Sequence, residues 1–173
     1  MIRRISAVSG WLVILVASAM ADSGVVAPGG TRPADGSPFE ELCRDAEGGN
    51  AKAQYVLGCC YNGEHGIQKD SAKAAIWFEK AAAQGVADAQ YLLGLCYYVG
   101  DGVRKDRAAA TSWWRKAAEQ DHADAEYFLG ISYSAGIGVP KSQELAVYWL
   151  QKAASLGNAE AAAVLKRFMR LPG

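Results

Sequence analysis

The sequence predicts an all-α protein, a right-handed α/α superhelical solenoid of helix-turn-helix repeats. Three observations predict this fold. The chain repeats itself every 36 residues without insertion or deletion, each unit carries two helical apolar patterns, and a half-unit flanks the array at each end. A fixed period of this length is the signature of repeat architectures. Because one hairpin cannot bury its own apolar face, neighbouring hairpins are expected to stack.

The chain is predicted to consist of a signal peptide, a flexible linker and a repeat domain. Residues 1–21 have a basic start, an apolar stretch and a small-x-small pattern, which predict a secretory signal peptide cleaved after Ala21. An uncleaved N-terminal anchor is the alternative. Residues 22–37 are rich in Gly, Pro, Ser and Ala, as in a flexible linker. The repeat domain spans 38–170, with full repeats at 49–84, 85–120 and 121–156 and a partial repeat at 157–170.

The first helix of each unit presents an apolar stripe at four-residue spacing, the pattern of an amphipathic helix. The stripe consists of Ala53, Leu57 and Tyr61, then Ala89, Leu93 and Tyr97, then Ala125, Leu129 and Tyr133. A glycine follows the stripe leucine in every unit, at Gly58, Gly94 and Gly130. Since a mid-helix glycine costs about 1 kcal/mol relative to alanine, its recurrence predicts that the second helix crosses close by.

The second helix supplies small residues, tryptophans and a cap. Its alanines are expected to fit against the glycines, at Ala74, Ala110, Ala146, Ala81, Ala117 and Ala153. Trp77, Trp113 and Trp149 are expected to wedge between units, since each indole buries a large area. Of the adjacent pair, Trp113 is assigned to the core register. Only Trp114 is a candidate for exposure, and its counterparts Phe78 and Leu150 indicate another packing position. Asp70, Asp106 and Ser142 are predicted N-caps.

Charge and motif content exclude several classes of protein. Removing Arg3 and Arg4 with the signal leaves 16 basic against 18 acidic residues, a net charge of −2, and no basic patch indicates nucleic acid. After signal cleavage no stretch approaches the roughly 20 apolar residues of a membrane-spanning helix, so stable membrane insertion is not expected. His65 and His122 lack a nucleophile or ligand partner at a recognisable spacing. We therefore expect no catalytic residue, no metal site and no cofactor.

The recurring pattern A-x-Y-x-L-G-x-x-Y-x-x-G-x-G-V-x-x-D, followed by A-x-x-W and K-A-A, resembles the Sel-one-like repeat (SLR), a relative of the tetratricopeptide repeat. The match covers 49–156 fully and reaches about 38–170 with the flanking halves. The resemblance implies a non-enzymatic scaffold that binds a partner protein or peptide, as an adaptor or regulator in the bacterial envelope. With the signal peptide, it predicts a periplasmic or secreted protein.

Two other functions stay open beside the scaffold. One is a cell-wall-associated or β-lactamase-like hydrolase, as implied by the cysteine-rich secreted branch of the resembled family. The chain contains no S-x-x-K, S-D-N or K-T-G motif to support it. The other is a secreted effector that binds host proteins.

If the first helices line the concave side of the stack, the residues opposite their core stripe face a groove. The candidate groove residues are Lys52, Tyr55, Asn62, Asp88, Tyr91, Tyr98, Asp124 and Tyr127. The recurring tyrosines have packing between repeats as an alternative, and the first-turn aspartates also offset the helix dipole. Tyr98 occurs once and is the better recognition candidate. Its replacement by alanine is expected to weaken partner binding without lowering the melting temperature.

Four cysteines, Cys43, Cys59, Cys60 and Cys96, enter an oxidising compartment if the chain is exported. Cys43 lies on the N-terminal half-repeat helix, antiparallel to the helix that carries Cys59 and Cys60. A Cys43–Cys59 or a Cys43–Cys60 disulfide is therefore possible, and would fasten the end of the array. The alternative is that all four are small buried hydrophobic residues.

Overall fold

The computed structural model describes residues 37–168, which form eight α-helices and no strand. The helices are α1 Pro38–Glu47, α2 Ala51–Tyr61, α3 Ser71–Ala83, α4 Ala87–Val99, α5 Arg107–Ala118, α6 Ala123–Ala135, α7 Gln143–Ser155 and α8 Ala159–Phe168. A 3-10 turn, Glu64–Gly66, lies between α2 and α3. Each helix packs on the helices before and after it in the chain. The predicted helical solenoid, with half-repeats at both ends, is confirmed.

Some sequence-based predictions concern the rest of the chain. The signal peptide, its cleavage after Ala21 and the linker up to residue 36 lie outside the described residues, as do residues 169 and 170 of the last half-repeat. Within 37–168, no helix has the length and apolar character needed to cross a membrane.

The predicted caps begin the helices. Asp70, Asp106 and Ser142 each accept a hydrogen bond from a backbone N–H in the first turn of α3, α5 and α7 respectively. Asn50 accepts from two N–H groups at the start of α2 in the same way. Such caps satisfy donors that a helix start otherwise leaves unpaired. The cap positions recur with the 36-residue period, so every hairpin begins its helices at the same place.

The apolar core crosses the repeat boundaries. One buried cluster joins residues of α2 and α3 to Ala89 and Leu93 of α4. A second joins residues of α5, among them Trp114, to Leu129 of α6 and Ala146 of α7. Each hairpin therefore completes its core with side chains of the next, as expected for a stack of units that are individually too small.

The helix glycines face the largest buried side chains of the second helices, which corrects the expected partners. A Cβ placed on Gly58 would lie 2.6 Å from the Phe78 ring, and one on Gly130 would lie 2.8 Å from Leu150 Cγ. A Cβ on Gly94 would overlap the Trp114 ring. The glycines thus leave room for these large side chains, whereas alanines were the expected partners. The fully buried column is Phe78, Trp114 and Leu150.

The tryptophans expected in the core are only half-buried. Lysine ammonium groups lie over their rings, with Lys80 3.9 Å from the centroid of Trp77 and Lys116 3.9 Å from that of Trp113. Trp113 still packs against the cluster that joins the first two repeats. The expectation that Trp113 is the buried core residue is therefore wrong, whereas the packing position that Phe78 and Leu150 indicate for Trp114 is confirmed. The position facing the glycine, one residue further along the helix, is the buried one.

The loop of each later repeat rests on the hairpin before it. Gly102, with φ +75°, lies against the backbone carbonyl of Ser71 at the start of α3. Gly138, with φ +68°, lies in the same way against the carbonyl of Arg107 at the start of α5. The Thr111 hydroxyl also donates a hydrogen bond to the Ile137 carbonyl at 3.0 Å. These backbone contacts fix the spacing between successive hairpins.

Candidate binding surface

The candidate groove residues share one face of α2, α4 and α6, because spacings of three and four residues place side chains on the same side of a helix. The other faces of these helices pack into the core clusters. Along the candidate face Lys52 is exposed and Tyr55 is buried. The remaining candidates are half-buried, namely Asn62, Asp88, Tyr91, Tyr98, Asp124 and Tyr127.

The recurring tyrosines pack in or against the core clusters, and two of them keep part of their surface open. Tyr55 is only 8 % exposed, with its ring centroid 6.4 Å from that of Phe78. Tyr91 stacks on His122 at 4.8 Å, and Tyr127 meets Phe128 edge-on at 5.4 Å. Burial raises the pKa of Tyr55 and of Tyr91 above the usual value of a phenol. Both therefore remain protonated at neutral pH.

The first-turn aspartates connect neighbouring first helices. His122 Nδ1 accepts a hydrogen bond from the Ala125 N–H at 3.2 Å, so in the neutral ring Nε2 carries the proton. That Nε2 donates to Asp88 Oδ1, also at 3.2 Å. His122 thus caps α6 and fastens it to α4.

The same connection recurs one repeat later. Asn158 Oδ1 accepts from the Ala161 N–H at the start of α8, while Asn158 Nδ2 donates to Asp124 at 2.8 Å. Sequence reasoning missed these ties and the role of His122. The available signal was that Asn50, His122 and Asn158 stand one or more periods apart in the 36-residue register.

Tyr98 lies against the core. Its ring centroid is 5.5 Å from that of Trp114, and its side chain packs on the cluster between the second and third repeats. From this geometry we expect Tyr98→Ala to lower stability, in contrast to the sequence-based expectation of an unchanged melting temperature. Ser134, the equivalent residue of α6, carries no ring and is a cleaner probe of the same face.

All four cysteines are free thiols in the structure. Cys59 and Cys60 are buried, whereas Cys43 and Cys96 are partly exposed. Burial raises the pKa of Cys60 to about 12 and that of Cys96 to about 11. Since the thiolate is the reactive form, burial disfavours the reactive form of both side chains.

The two predicted disulfides, Cys43–Cys59 and Cys43–Cys60, stay predictions. We expect peptide mapping of the oxidised protein under non-reducing conditions to recover Cys43 paired with Cys59 or with Cys60. Four free thiols after oxidation would contradict both pairings.

Among residues 37–168, no group of three or more His, Cys, Asp and Glu side chains is arranged to hold a metal ion. The candidate face instead combines half-buried aromatic and aliphatic side chains with hydrogen-bonded acids. That combination suits contact with another macromolecule, because such surfaces are rich in tyrosine and have polar groups around an apolar centre.

Comparison with protein families gives one match that covers most of the described chain. The model described as Sel1 repeat matches residues 51–86, 87–122 and 123–158. These units begin two residues later than the predicted ones and have the same length. No curated protein matches the chain.

Solved structures similar to the chain include the following three. A Sel1 repeat protein from Oxalobacter formigenes is 36 % identical, with a TM-score of 0.68, over 75 % of this chain and 97 % of that one. A protective antigen of uropathogenic Escherichia coli with an SLR fold is 38 % identical, with a TM-score of 0.71, over 73 % of this chain and 27 % of that one. Helicobacter pylori cysteine rich protein B is 26 % identical, with a TM-score of 0.59, over 75 % of this chain and 98 % of that one.

Proposed function

The chain belongs to the Sel1 repeat family, and from that premise we propose that it is an exported, non-catalytic scaffold that binds a protein or peptide in the bacterial envelope. Sel1 repeats form a scaffold fold typical of protein–protein interaction. Export is supported by the signal pattern of residues 1–21. The proposed binding site is the candidate face of the first helices.

The observation that carries the proposal is a row of partly open apolar side chains. Tyr91, Leu95 and Tyr98 of α4 are half-buried, as are Tyr127 and Ile131 of α6. Each side chain packs against a core cluster that includes residues of the repeat that follows, and keeps a remaining surface for a partner. Tyrosine offers a large contact area and a hydroxyl group at low entropic cost, which is why it is common at binding hot spots.

The face is also held rigidly in place. Asp88 and Asp124 each hydrogen-bond to the cap residue of the next first helix, so neighbouring first helices keep a fixed distance. A surface that is already ordered loses less conformational entropy on binding. The ties therefore favour a preformed site over one that is assembled by the partner.

The test is capture by a tagged chain, crosslinked in the native envelope, followed by affinity measurements on the captured protein. We expect Ser134→Arg, which places a long charged side chain on the candidate face, to weaken binding about tenfold or more. Ser112→Arg is the matched control, because Ser112 is exposed on α5 and lies away from this face. It is expected to leave the affinity unchanged. Recovered protein is expected to begin at Asp22.

Four outcomes would contradict the proposal. The two arginine variants could weaken binding equally, or neither could affect it. Purified protein could turn over a β-lactam or a murein substrate, which would favour the hydrolase. Capture could succeed only from host lysate, which would favour the secreted effector.

A further inference from the structure

A junction is the contact between two successive units of the stack. Hydrogen-bonded glutamine pairs lie at the first two junctions, between the N-terminal half-repeat and the first repeat and between the first and second repeats. Gln54 Nε2 donates to the Ala46 carbonyl at 3.0 Å, and Gln54 Oε1 accepts from Gln84 Nε2 at 2.7 Å. One repeat later, Gln90 donates to the Ala82 carbonyl at 3.1 Å and accepts from Gln120 at 2.8 Å. Gln54 and Gln90 are buried, and both the nitrogen and the oxygen of each side-chain amide have a hydrogen-bond partner, where unpaired polar groups would be costly.

The third junction has lost both members of this pair. Glu126 takes the position of Gln54 and Gln90, and Leu156 takes that of Gln84 and Gln120. The Glu126 side chain is 0 % exposed, and neither of its carboxylate oxygens has a hydrogen-bond partner. When ionised it has no hydrogen to offer the Ala118 carbonyl, the equivalent of the acceptors in the earlier junctions.

Lys152 supplies the compensating charge. Its Nζ lies 3.0 Å from Glu126 Oε1, outside hydrogen-bonding geometry, and 3.0 Å from Asp121 Oδ1. This nitrogen is 5.4 Å from the centroid of Trp149, whereas the equivalent lysines lie 3.9 Å above their tryptophans. The charged or titratable groups facing Glu126 are Lys152 from α7 and Asp121 and His122 from the turn before α6.

We propose that protonation of Glu126 strengthens the junction between the second and third repeats. With a proton bound, the carboxyl group donates to the Ala118 carbonyl, as the amides of Gln54 and Gln90 do at their carbonyls. Without the proton, the carboxylate holds Lys152 and the carbonyl loses that donor. Low pH therefore stabilises the junction at Glu126, while the two junctions with glutamine pairs have no such titrating group.

The direction of the pH effect follows from burial. Desolvation raises the pKa of Glu126 above its usual value of 4.5, against the opposing effect of Lys152. A carboxyl group whose pKa is raised by folding stabilises the folded state most below its unfolded pKa. That stabilisation is lost as the pH rises through the folded pKa. The change in the folding equilibrium constant is at most about tenfold per pH unit.

The test is urea unfolding of the wild type and Glu126→Gln at pH values from 4 to 8. We expect the folding constant of the variant, relative to the wild type, to increase as the pH rises, because the amide donates at every pH. Glu119→Gln is the matched control. Glu119 is exposed near the same junction. The folding constant of this variant, relative to that of the wild type, is expected not to change with pH. Adding Leu156→Gln to Glu126→Gln should raise stability further at pH 8 by rebuilding the pair.

A ratio for Glu126→Gln that stays level or decreases with rising pH would overturn the proposal. A second measurement needs no variant: NMR titration of the Glu126 side-chain carboxyl carbon in the folded wild type. We expect its midpoint above 4.5. A midpoint at or below that value would show that Lys152 outweighs burial and would equally overturn the proposal.

Discussion

Trp114→Ala is expected to lower the free energy of unfolding by about 3–5 kcal/mol, the usual cost of truncating a buried aromatic residue. Trp114 is 1 % exposed, and its ring fills the space above Gly94. Its ring centroid lies 4.9 Å from that of Phe128, and its indole N–H donates to the Tyr91 carbonyl at 3.3 Å. The truncation would leave a cavity at the boundary of two repeats. Urea denaturation followed by circular dichroism measures the loss.

Trp113→Ala is the matched control, since the two tryptophans are neighbours on the same helix. Trp113 is half-buried beneath the Lys116 ammonium group, and its removal opens no enclosed cavity. We expect a loss of about 1–2 kcal/mol. A loss for Trp113→Ala that equals or exceeds the loss for Trp114→Ala would mean that the core register is assigned to the wrong residue.

Gly102→Ala is expected to destabilise the protein by at least about 2 kcal/mol more than Gly66→Ala, because overlap with backbone is costly to relieve. The two glycines are equivalent in the repeat and have nearly the same backbone angle, φ +75° and φ +74°. A Cβ at Gly102 would overlap the backbone of Ser71, whereas one at Gly66 would meet nothing within 4 Å. The measurement is the difference in unfolding free energy between the two variants.

Comparing Gly102→Ala with Gly66→Ala separates the cost of local backbone strain from the cost of overlap with the preceding repeat. A left-handed residue other than glycine costs about 1–2 kcal/mol by itself, and both variants carry that cost. Only Gly102 also touches the preceding hairpin. Equal losses for the two variants would contradict the close stacking of the second-repeat loop on the start of α3.

The helices and their caps were predictable because both are local properties that recur in register. The four-residue stripe specifies the buried side of each first helix, and the caps at Asp70 and Asp106 follow from residue type and position. Which of Trp113 and Trp114 is buried does not follow from the local sequence. It depends on which side chain meets Gly94 where two helices cross. The apolar column of Phe78, Trp114 and Leu150 was the signal for the correct choice.

The candidate face was predictable as a set of positions, but its contacts were not. The Asp88–His122 and Asp124–Asn158 ties join residues 34 apart and depend on the distance between stacked helices. The paired change to Glu126 and Leu156 is visible in the aligned repeats, yet it has meaning only once the glutamine pairs are seen. Sequence periodicity thus gives the framework, while the links between units require the structure.

Neighbouring hairpins complete each other's core, and circular dichroism of one isolated repeat measures that dependence most directly. We expect a peptide of residues 85–120 to show little helix in water, because Leu93 belongs to a cluster shared with the first repeat and Trp114 to one shared with the third. The chain with all its repeats is expected to be largely helical and to unfold in one transition. An isolated repeat as helical as the whole chain would contradict the account.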